Sequence, residues 1–340
     1  MTHADPSHIL QVGMGFWASK ALLSAVELGV FTTLGKRSMT GAELARSLGL
    51  HARAIPDFPD ALVALRVLDR EGEGPEARYS NTAETALFLD KQSPAYLGGF
   101  LEMCNARLYR FWGDLTEGLR TGAAQNEVKH TGESIFAKLY EVPGRLEQFM
   151  SAMRGISAAP FAAFAEKFDF SRYGTLCDVG GATAQLSCAV AGAHRHMRCM
   201  SLDLPKVVPI AARYIAEAGL SDRVESGACD FFADPLPRAD VITMGMILHD
   251  WNLEKKKLLI RKAYEALPAG GAFVVIEALI DDARRENAFG LLMSLNMLIE
   301  FGDAFDYTGR DFAGWCRKAG FRDFEVIKLT GPSSAAVAYK

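Results

Sequence analysis

Two stretches of this chain hold residue types that can do chemistry. In Thr175-Leu-Cys-Asp-Val-Gly-Gly-Ala-Thr-Ala-Gln-Leu186 an apolar run ends in an acid, Asp178, and then in Gly180 and Gly181. Backbone approaches a ligand closely only where Cβ is missing, and a helix opening near Ala184 would turn its positive end toward whatever is held there. In the second stretch, Asp240-Val-Ile-Thr-Met244 runs on to His249-Asp-Trp251. An imidazole just beyond a strand is a proton acceptor carried to a sheet edge. Asp203, after Arg198–Leu202, and Asp230, after Arg223–Gly227, stand at equivalent places. Four successive strands thus point polar groups at one edge.

The elements that must position these groups follow from the apolar pattern. From Thr175 onward, the runs Leu176–Val179, Arg198–Leu202, Val224–Gly227, Val241–Met244, Ala272–Glu277, Phe324–Leu329 and Ala335–Tyr339 alternate with helical periodicity. That alternation predicts an α/β, Rossmann-like, doubly wound and mostly parallel sheet, with ligands at the carboxyl ends of its strands. Before it, Ala18–Leu28, Thr40–Leu48 and Asp60–Leu68 read as short helices, with Thr40 and Glu43 forming a capping box. The Glu71–Glu76 turn before Arg78–Ser80 reads as a hairpin wing, so this part resembles a winged helix-turn-helix. Helices continue from about Ala95 to Phe168. The expected divisions are residues 1–95, a helical linker over 96–168, and the sheet domain over 169–340. Asp250 is read as the cap of a helix starting at Trp251.

Composition narrows the class. A chain of 340 residues, 49% hydrophobic and 23% charged, buries a large core. Its net charge of −4 offers no basic face for a polyanion. A winged-helix transcriptional regulator is the competing reading, yet residues 1–100 hold nine Lys/Arg against eleven Asp/Glu, and the segment Ala52–Arg66 that would read DNA carries Pro56, Pro59, Asp57 and Asp60. Phosphate contacts would be poor there. The apolar Phe16, Trp17, Leu22, Leu23 and Val26 are read instead as a dimer face. Six scattered cysteines without a C-x-x-C pair read as reduced core residues of a cytoplasmic protein. Lys20 and Glu27 interrupt the apolar N-terminus, and neither signal peptide nor membrane span is expected. His194 and His196 lack a partner at metal-ligand spacing, and no metal is expected.

The glycine turn selects among nucleotide ligands. A nicotinamide-dependent dehydrogenase needs G-x-G-x-x-G after its first strand, which Gly180-Gly181-Ala182-Thr183-Ala184 does not supply. Asp203 suits ribose hydroxyls, and Asp230 beside Phe231 offers an acid and an apolar wall to an adenine. These residues favour an adenosyl ligand with no second nucleotide.

With these motifs in place, the chain closely resembles the class I S-adenosylmethionine-dependent O-methyltransferases of the plant caffeate and bacterial small-molecule (acetylserotonin- and polyketide-type) family. The resemblance spans nearly the whole length through Asp178-Val-Gly-Gly181, Asp203-Leu-Pro205, Asp230-Phe-Phe232, Leu248-His-Asp-Trp251 and Gly270-Gly-Ala-Phe-Val-Val-Ile-Glu277. It implies a winged-helix homodimerisation domain before the methyltransferase sheet, with S-adenosyl-L-methionine as cofactor. It assigns Asp178, Gly180 and Gly181 to the cofactor turn, Asp203 and Leu204 to ribose and adenine, and Asp230, Phe231 and Trp251 to the adenine side. Met153 and Ser157 fall to the methionine end, and Phe149, Asn296 and Met297 to the acceptor pocket. His249 becomes the general base. The pattern departs from the family at Ala182 and Ala184, where the turn often has glycine, and at Gly245, where many plant members have lysine.

The implied chemistry is consistent with these residues. Methyl transfer is an in-line displacement at an activated sulfonium, so the protein mainly aligns the nucleophile and removes a hydroxyl proton. An imidazole of about 6.5 is a weak base toward a phenol of about 10, so it must act as the bond forms and be held in one tautomer by a carboxylate. Glu277 and Asp306 are the candidates. An apolar pocket rich in Met and Phe suits a flat aromatic or polyketide-like acceptor. The same framework supports N- and C-methylation, and some relatives bind the cofactor without transferring methyl.

Overall fold

The computed structural model describes residues 4–129 and 143–340. Within them the chain divides into two compact units, Met1–Arg110 with Ser151–Ile156, and Phe111–Met150 with Ser157–Lys340. The helical stretch expected over 96–168 is shared between the two.

The first unit is mostly helical with a small antiparallel sheet, in which β1 (Met39–Thr40) pairs with β3 (Arg78–Asn81) and β3 with β2 (Leu68–Glu71). Thr40 caps the helix Gly41–Leu48: its hydroxyl accepts from the Glu43 N–H, and Glu43 accepts from the Thr40 N–H, the expected reciprocal box. The helix expected over Asp60–Leu68 instead runs from Asp57 to Ala64. Arg66 adopts a left-handed backbone (φ 61°), which a helix does not tolerate, and the buried Leu68 then opens β2.

Helices Ser7–Gly13 and Gly15–Glu27 leave Ile9, Leu10, Val12, Phe16 and Trp17 exposed, Trp17 by 63%. Lys20 and Glu27, the charges that interrupt this segment, both turn to Asn105: Lys20 Nζ donates to its Oδ1, and Glu27 accepts from its Nδ2. By length and composition alone Ser7–Glu27, 21 residues whose most apolar window has a mean hydropathy of 1.3, could cross a membrane. Only 17% of its most apolar window is buried: Leu23, Ala25 and Val26 enter the core of this unit, while Ile9, Leu10, Val12, Phe16 and Trp17 are uncovered among the described residues.

The second unit is built on a seven-stranded sheet, in the order β6-β5-β4-β7-β8-β10-β9. Strands β4 (Thr175–Val179), β5 (Arg198–Asp203), β6 (Val224–Ala228), β7 (Val241–Gly245) and β8 (Ala272–Glu277) are parallel; β9 (Asp323–Lys328) and β10 (Ser334–Tyr339) close one edge antiparallel. All seven apolar runs named from sequence are strands. β8 is buried along its whole length, as a central strand covered on both faces must be. Chain order reverses between β4 and β7, so the carboxyl ends of β4, β5 and β7 surround the crevice where ligands of such sheets sit.

Candidate active site

The turn after β4 is held from below. Gly180 and Gly181 donate their N–H groups to the Leu202 carbonyl of β5 at 2.8 and 3.0 Å. Gly180 has φ +72°, and a Cβ on Gly181 would stand 2.2 Å from Ser201 Oγ and 2.9 Å from Asp178 Oδ2, so neither position admits a side chain without rearrangement. Ala182 (φ 48°) and Ala184 (φ 58°) are both left-handed. These are the two places where sequence departs from the glycine pattern, and the left-handed backbone costs an alanine about 1–2 kcal/mol. Ala184 directly precedes the helix Gln185–Ala193.

Asp178 is buried and accepts from Thr243 Oγ1 of β7 at 2.8 Å; burial pushes its carboxyl up to about 7. Asp203 braces the turn: Oδ2 accepts from the Ala182 N–H (2.9 Å) and Oδ1 from the Leu204 N–H (2.7 Å). Burial raises its carboxyl as well, and those backbone donors oppose the rise. Each oxygen keeps lone-pair capacity for a diol. Asp230, exposed, accepts from the Phe232 N–H (2.9 Å), and Phe231 and Phe232 meet Trp251 edge to face at 6.1 and 4.7 Å between ring centres. A carboxylate-braced turn, a further acid and an aromatic wall together fit an adenosyl group.

Beyond β7, the turn Leu248–Asp250 carries His249 into the interior, 4% exposed. Its N–H donates to Glu277 Oε1 at the end of β8 (3.1 Å), Nδ1 lies 3.3 Å from Asp306 Oδ1, and Nε2 lies 3.3 Å from Asp250 Oδ1. Glu277 and Asp306 are 1% and 3% exposed. Asp306 is fixed by its neighbours, since its N–H donates to Ser294 Oγ and Ile280 N–H donates to the Tyr307 carbonyl. Burial alone would lower the basicity of the imidazole; Asp250, Asp306 and Glu277 outweigh it and raise His249 to about 10. Burial pushes Asp250 up to about 7 and raises Glu277. Asp250 is therefore not the helix cap expected of it. Asn252 caps Leu253–Ala266 by accepting from the Lys255 N–H, and Asp250 faces the histidine.

The remaining sequence candidates are distributed. Asn296 Oδ1 accepts from Trp112 Nε1 at 2.9 Å, and Met297 is buried on the same helix, Ala288–Phe301. Phe149 and Ala182 of the glycine turn both pack against the small apolar cluster of Leu146, Met150 and Val207. Ser157 is buried, and Met153 belongs to the Ser151–Ile156 segment of the first unit. His194 and His196 each bond a main-chain carbonyl, those of Ala165 and Phe170. Sequence reasoning missed Trp112 and Lys256. The first offered no signal; the second lies on the apolar face of its helix, a periodicity mismatch that was readable.

Residues 112–322 match the O-methyltransferase domain, and residues 10–91 match the O-methyltransferase dimerisation domain. The chain belongs to this family of O-methyltransferases. It is 38% identical, over 100% of its length and 98% of the relative, to the tetracenomycin polyketide synthesis 8-O-methyl transferase TcmO of Streptomyces glaucescens. It is 34% identical, over 94% of its length and 91% of the relative, to the N,N-dimethyltransferase OxyT of Streptomyces rimosus. Its fold is similar to human N-acetylserotonin methyltransferase in complex with SAM, with a TM-score of 0.91 at 29% identity, covering 100% of this chain and 99% of that one. The protein is an S-adenosylmethionine-dependent O-methyltransferase (EC 2.1.1.-) with a mainly helical dimerisation domain before its α/β sheet.

Asp178 gives this site a pH signature in stability. A folded-state carboxyl raised above its unfolded value binds a proton that the unfolded chain releases, so stability falls as pH rises from about 4 through 7. Asp178→Asn, which keeps an acceptor for Thr243, should gain stability over the parent at pH 8 relative to pH 5. Urea denaturation of both proteins at the two pH values checks this; an advantage independent of pH would contradict it.

Proposed function

We propose that this enzyme transfers the methyl group of S-adenosylmethionine to a hydroxyl of a small aromatic or polyketide-like acceptor, with His249 as general base. The observation that carries the reading is the buried imidazole of His249, with carboxylates on both ring nitrogens and a third on its backbone N–H. When bound, the cofactor supplies a methyl group already activated on a sulfonium, so the chain's own work is alignment and proton removal.

In this reading Asp178, Gly180 and Gly181 shape the cofactor turn, Asp203 and Leu204 hold ribose and adenine, and Asp230, Phe231 and Trp251 take the adenine side. Met153 and Ser157 serve the methionine end, and Phe149, Asn296 and Met297 line the acceptor pocket, to which the segment 96–168 contributes. Trp112 occupies the Asn296 carbonyl oxygen, which leaves the amide N–H groups to donate to an acceptor oxygen. Asp306 orients the imidazole through Nδ1, Glu277 anchors the turn through the main-chain N–H of His249, and both stabilise the imidazolium formed as the hydroxyl proton leaves. Before that step the imidazole must be neutral, so turnover rises with pH through its raised midpoint. The polyketide class is supported by TcmO and by the Met- and Phe-rich pocket segments.

A second reading, methylation of an amine, is favoured by the same raised basicity. A higher midpoint leaves less of the imidazole neutral at pH 7, and a neutral amine needs no base; OxyT is by name such an enzyme. Labelled cofactor with a panel of phenols, naphthols, aryl amines and enolisable aryl ketones separates O-, N- and C-methylation from cofactor binding without transfer.

The exposed apolar helices Ser7–Gly13 and Gly15–Glu27 overlap the matched dimerisation domain, and in this reading a second copy covers them, with neither membrane nor nucleic acid as partner. Six free cysteines, four of them buried, agree with a reducing cytoplasmic setting.

Two outcomes test this reading. His249→Ala should leave cofactor binding intact and lower turnover on a hydroxyl acceptor by about 10²–10⁴-fold, with Glu277→Gln losing less; near-full turnover at neutral pH would remove His249 from the role of base. Light scattering of the full chain at micromolar concentration should give twice the monomer mass, and Trp17→Asp should lower it. A monomeric parent contradicts the dimer.

A further inference from the structure

Lys256 has no exposed surface at all. It sits on the inward face of the helix Leu253–Ala266, in line with Leu259, Ile260 and Ala263, where the helical period calls for an apolar side chain. Burying an ammonium forfeits its hydration, and lysines are almost never fully buried unless something answers the charge. Helix capping does not need it, because Asn252 serves there.

Its contacts run to two segments of the active site. Lys256 Nζ donates to the carbonyl of Trp251, two residues beyond His249. The same ammonium stands 4.0 Å from the ring centre of Phe305 and 5.6 Å from that of Tyr307, the residues on either side of Asp306. One side chain therefore ties the turn that carries the imidazole to the loop that carries its carboxylate. Cation–π contacts of this kind are strongest where water is excluded.

The charges around it are specific. Asp250 from the turn, Glu277 from the end of β8, Asp306 from the loop, and Asp303 act on Lys256, and the first three act on His249 as well. No carboxylate among the described residues forms an ion pair with Lys256, so its charge acts through the dry interior, where screening is weak. Burial pulls the ammonium down to about 8, with these carboxylates opposing, which leaves it charged at neutral pH.

We propose that Lys256 is a positioning residue for the His249 base: it clamps the His249 turn to the Asp306 loop, and its buried charge opposes protonation of the imidazole. The proposal rests on the reading of His249 as base. Three carboxylates about one imidazole favour imidazolium, which accepts no proton. A fixed cation in the same cluster repels that imidazolium and balances part of the negative charge, so a neutral ring is available at lower pH than the carboxylates alone allow.

The test uses the full-length enzyme with Lys256→Met, which removes charge and tether at nearly constant volume, and Lys256→Gln, which keeps a donor for the Trp251 carbonyl but no charge. Two midpoints are read: that of the pH dependence of kcat, and that of the His249 ring-carbon NMR titration, assigned among the seven histidines by its loss in His249→Ala. Both variants should bind S-adenosylmethionine as the parent does. Both midpoints should rise by about one unit, making turnover near pH 7 about tenfold slower. An NMR midpoint unmoved in both variants overturns the proposal, and so does a Gln variant with the parental midpoint, since charge would then not be the agent. An NMR midpoint that rises while the rate profile stays put upholds the electrostatic coupling and overturns the base assignment instead.

Discussion

The structure depends on burying an imidazole among carboxylates without leaving it uncompensated. His249, Asp306, Glu277 and Asp250 are brought together by elements distant in sequence, and none of these charges would be tolerated in an interior that did not supply partners. The sheet makes the arrangement possible. β7 and β8 are parallel neighbours in register from Val241↔Ala272 to Gly245↔Ile276, and the Met246 N–H donates to the Ile276 carbonyl, so the chain leaves β7 beside the end of β8, where Glu277 waits. The loop carrying Asp306 is stitched to the continuation of β8 through Ile280 and Tyr307.

A second constraint acts at β4, the other neighbour of β7. The turn after β4 must pass close over Asp178 and Ser201, and it does so with Gly181, for which no other residue fits, and with two alanines in the left-handed region. The strain of these alanines is offset by packing and by Asp203, whose carboxylate holds the Ala182 N–H. Ala184 is fully buried and Ala182 packs against the cluster of Leu146, Met150 and Val207, packing that a glycine would surrender. Local backbone strain at a ligand turn is thus kept by the tertiary contacts of the methyl groups that cause it.

Much of this was legible in the residues. Strands β4, β5, β7 and β8 were visible as short apolar runs because central parallel strands are buried on both faces; the antiparallel β10 is buried likewise, whereas β6 and β9, at the two edges of the sheet, are largely exposed. The Thr40–Glu43 box was visible because capping is a local interaction fixed by a spacing of three. Three features were not readable locally. Arg66 ends its helix early through a left-handed backbone that its residue type does not announce. Asp250 looked like a cap, since an acid before a helix usually is one; that Asn252 takes this work and Asp250 turns inward depends on where the helix begins, and helix ends are poorly defined by sequence. Lys20 and Glu27, which interrupt the apolar N-terminal segment, both turn to Asn105, a partner 78 to 85 positions away, while Ile9, Leu10, Val12, Phe16 and Trp17 stay exposed.

The central claim is that the buried imidazole removes the acceptor's proton as the new bond forms. It is tested most directly by single-turnover methyl transfer to a series of phenols of graded acidity, each run with the parent enzyme and with a variant lacking the imidazole. If His249 is the base, the parent's advantage should shrink steadily as the phenol becomes more acidic and should vanish for phenols already ionised at the assay pH. An advantage of constant size across the series, including fully ionised phenols, would show that His249 acts by position or packing and not by taking a proton.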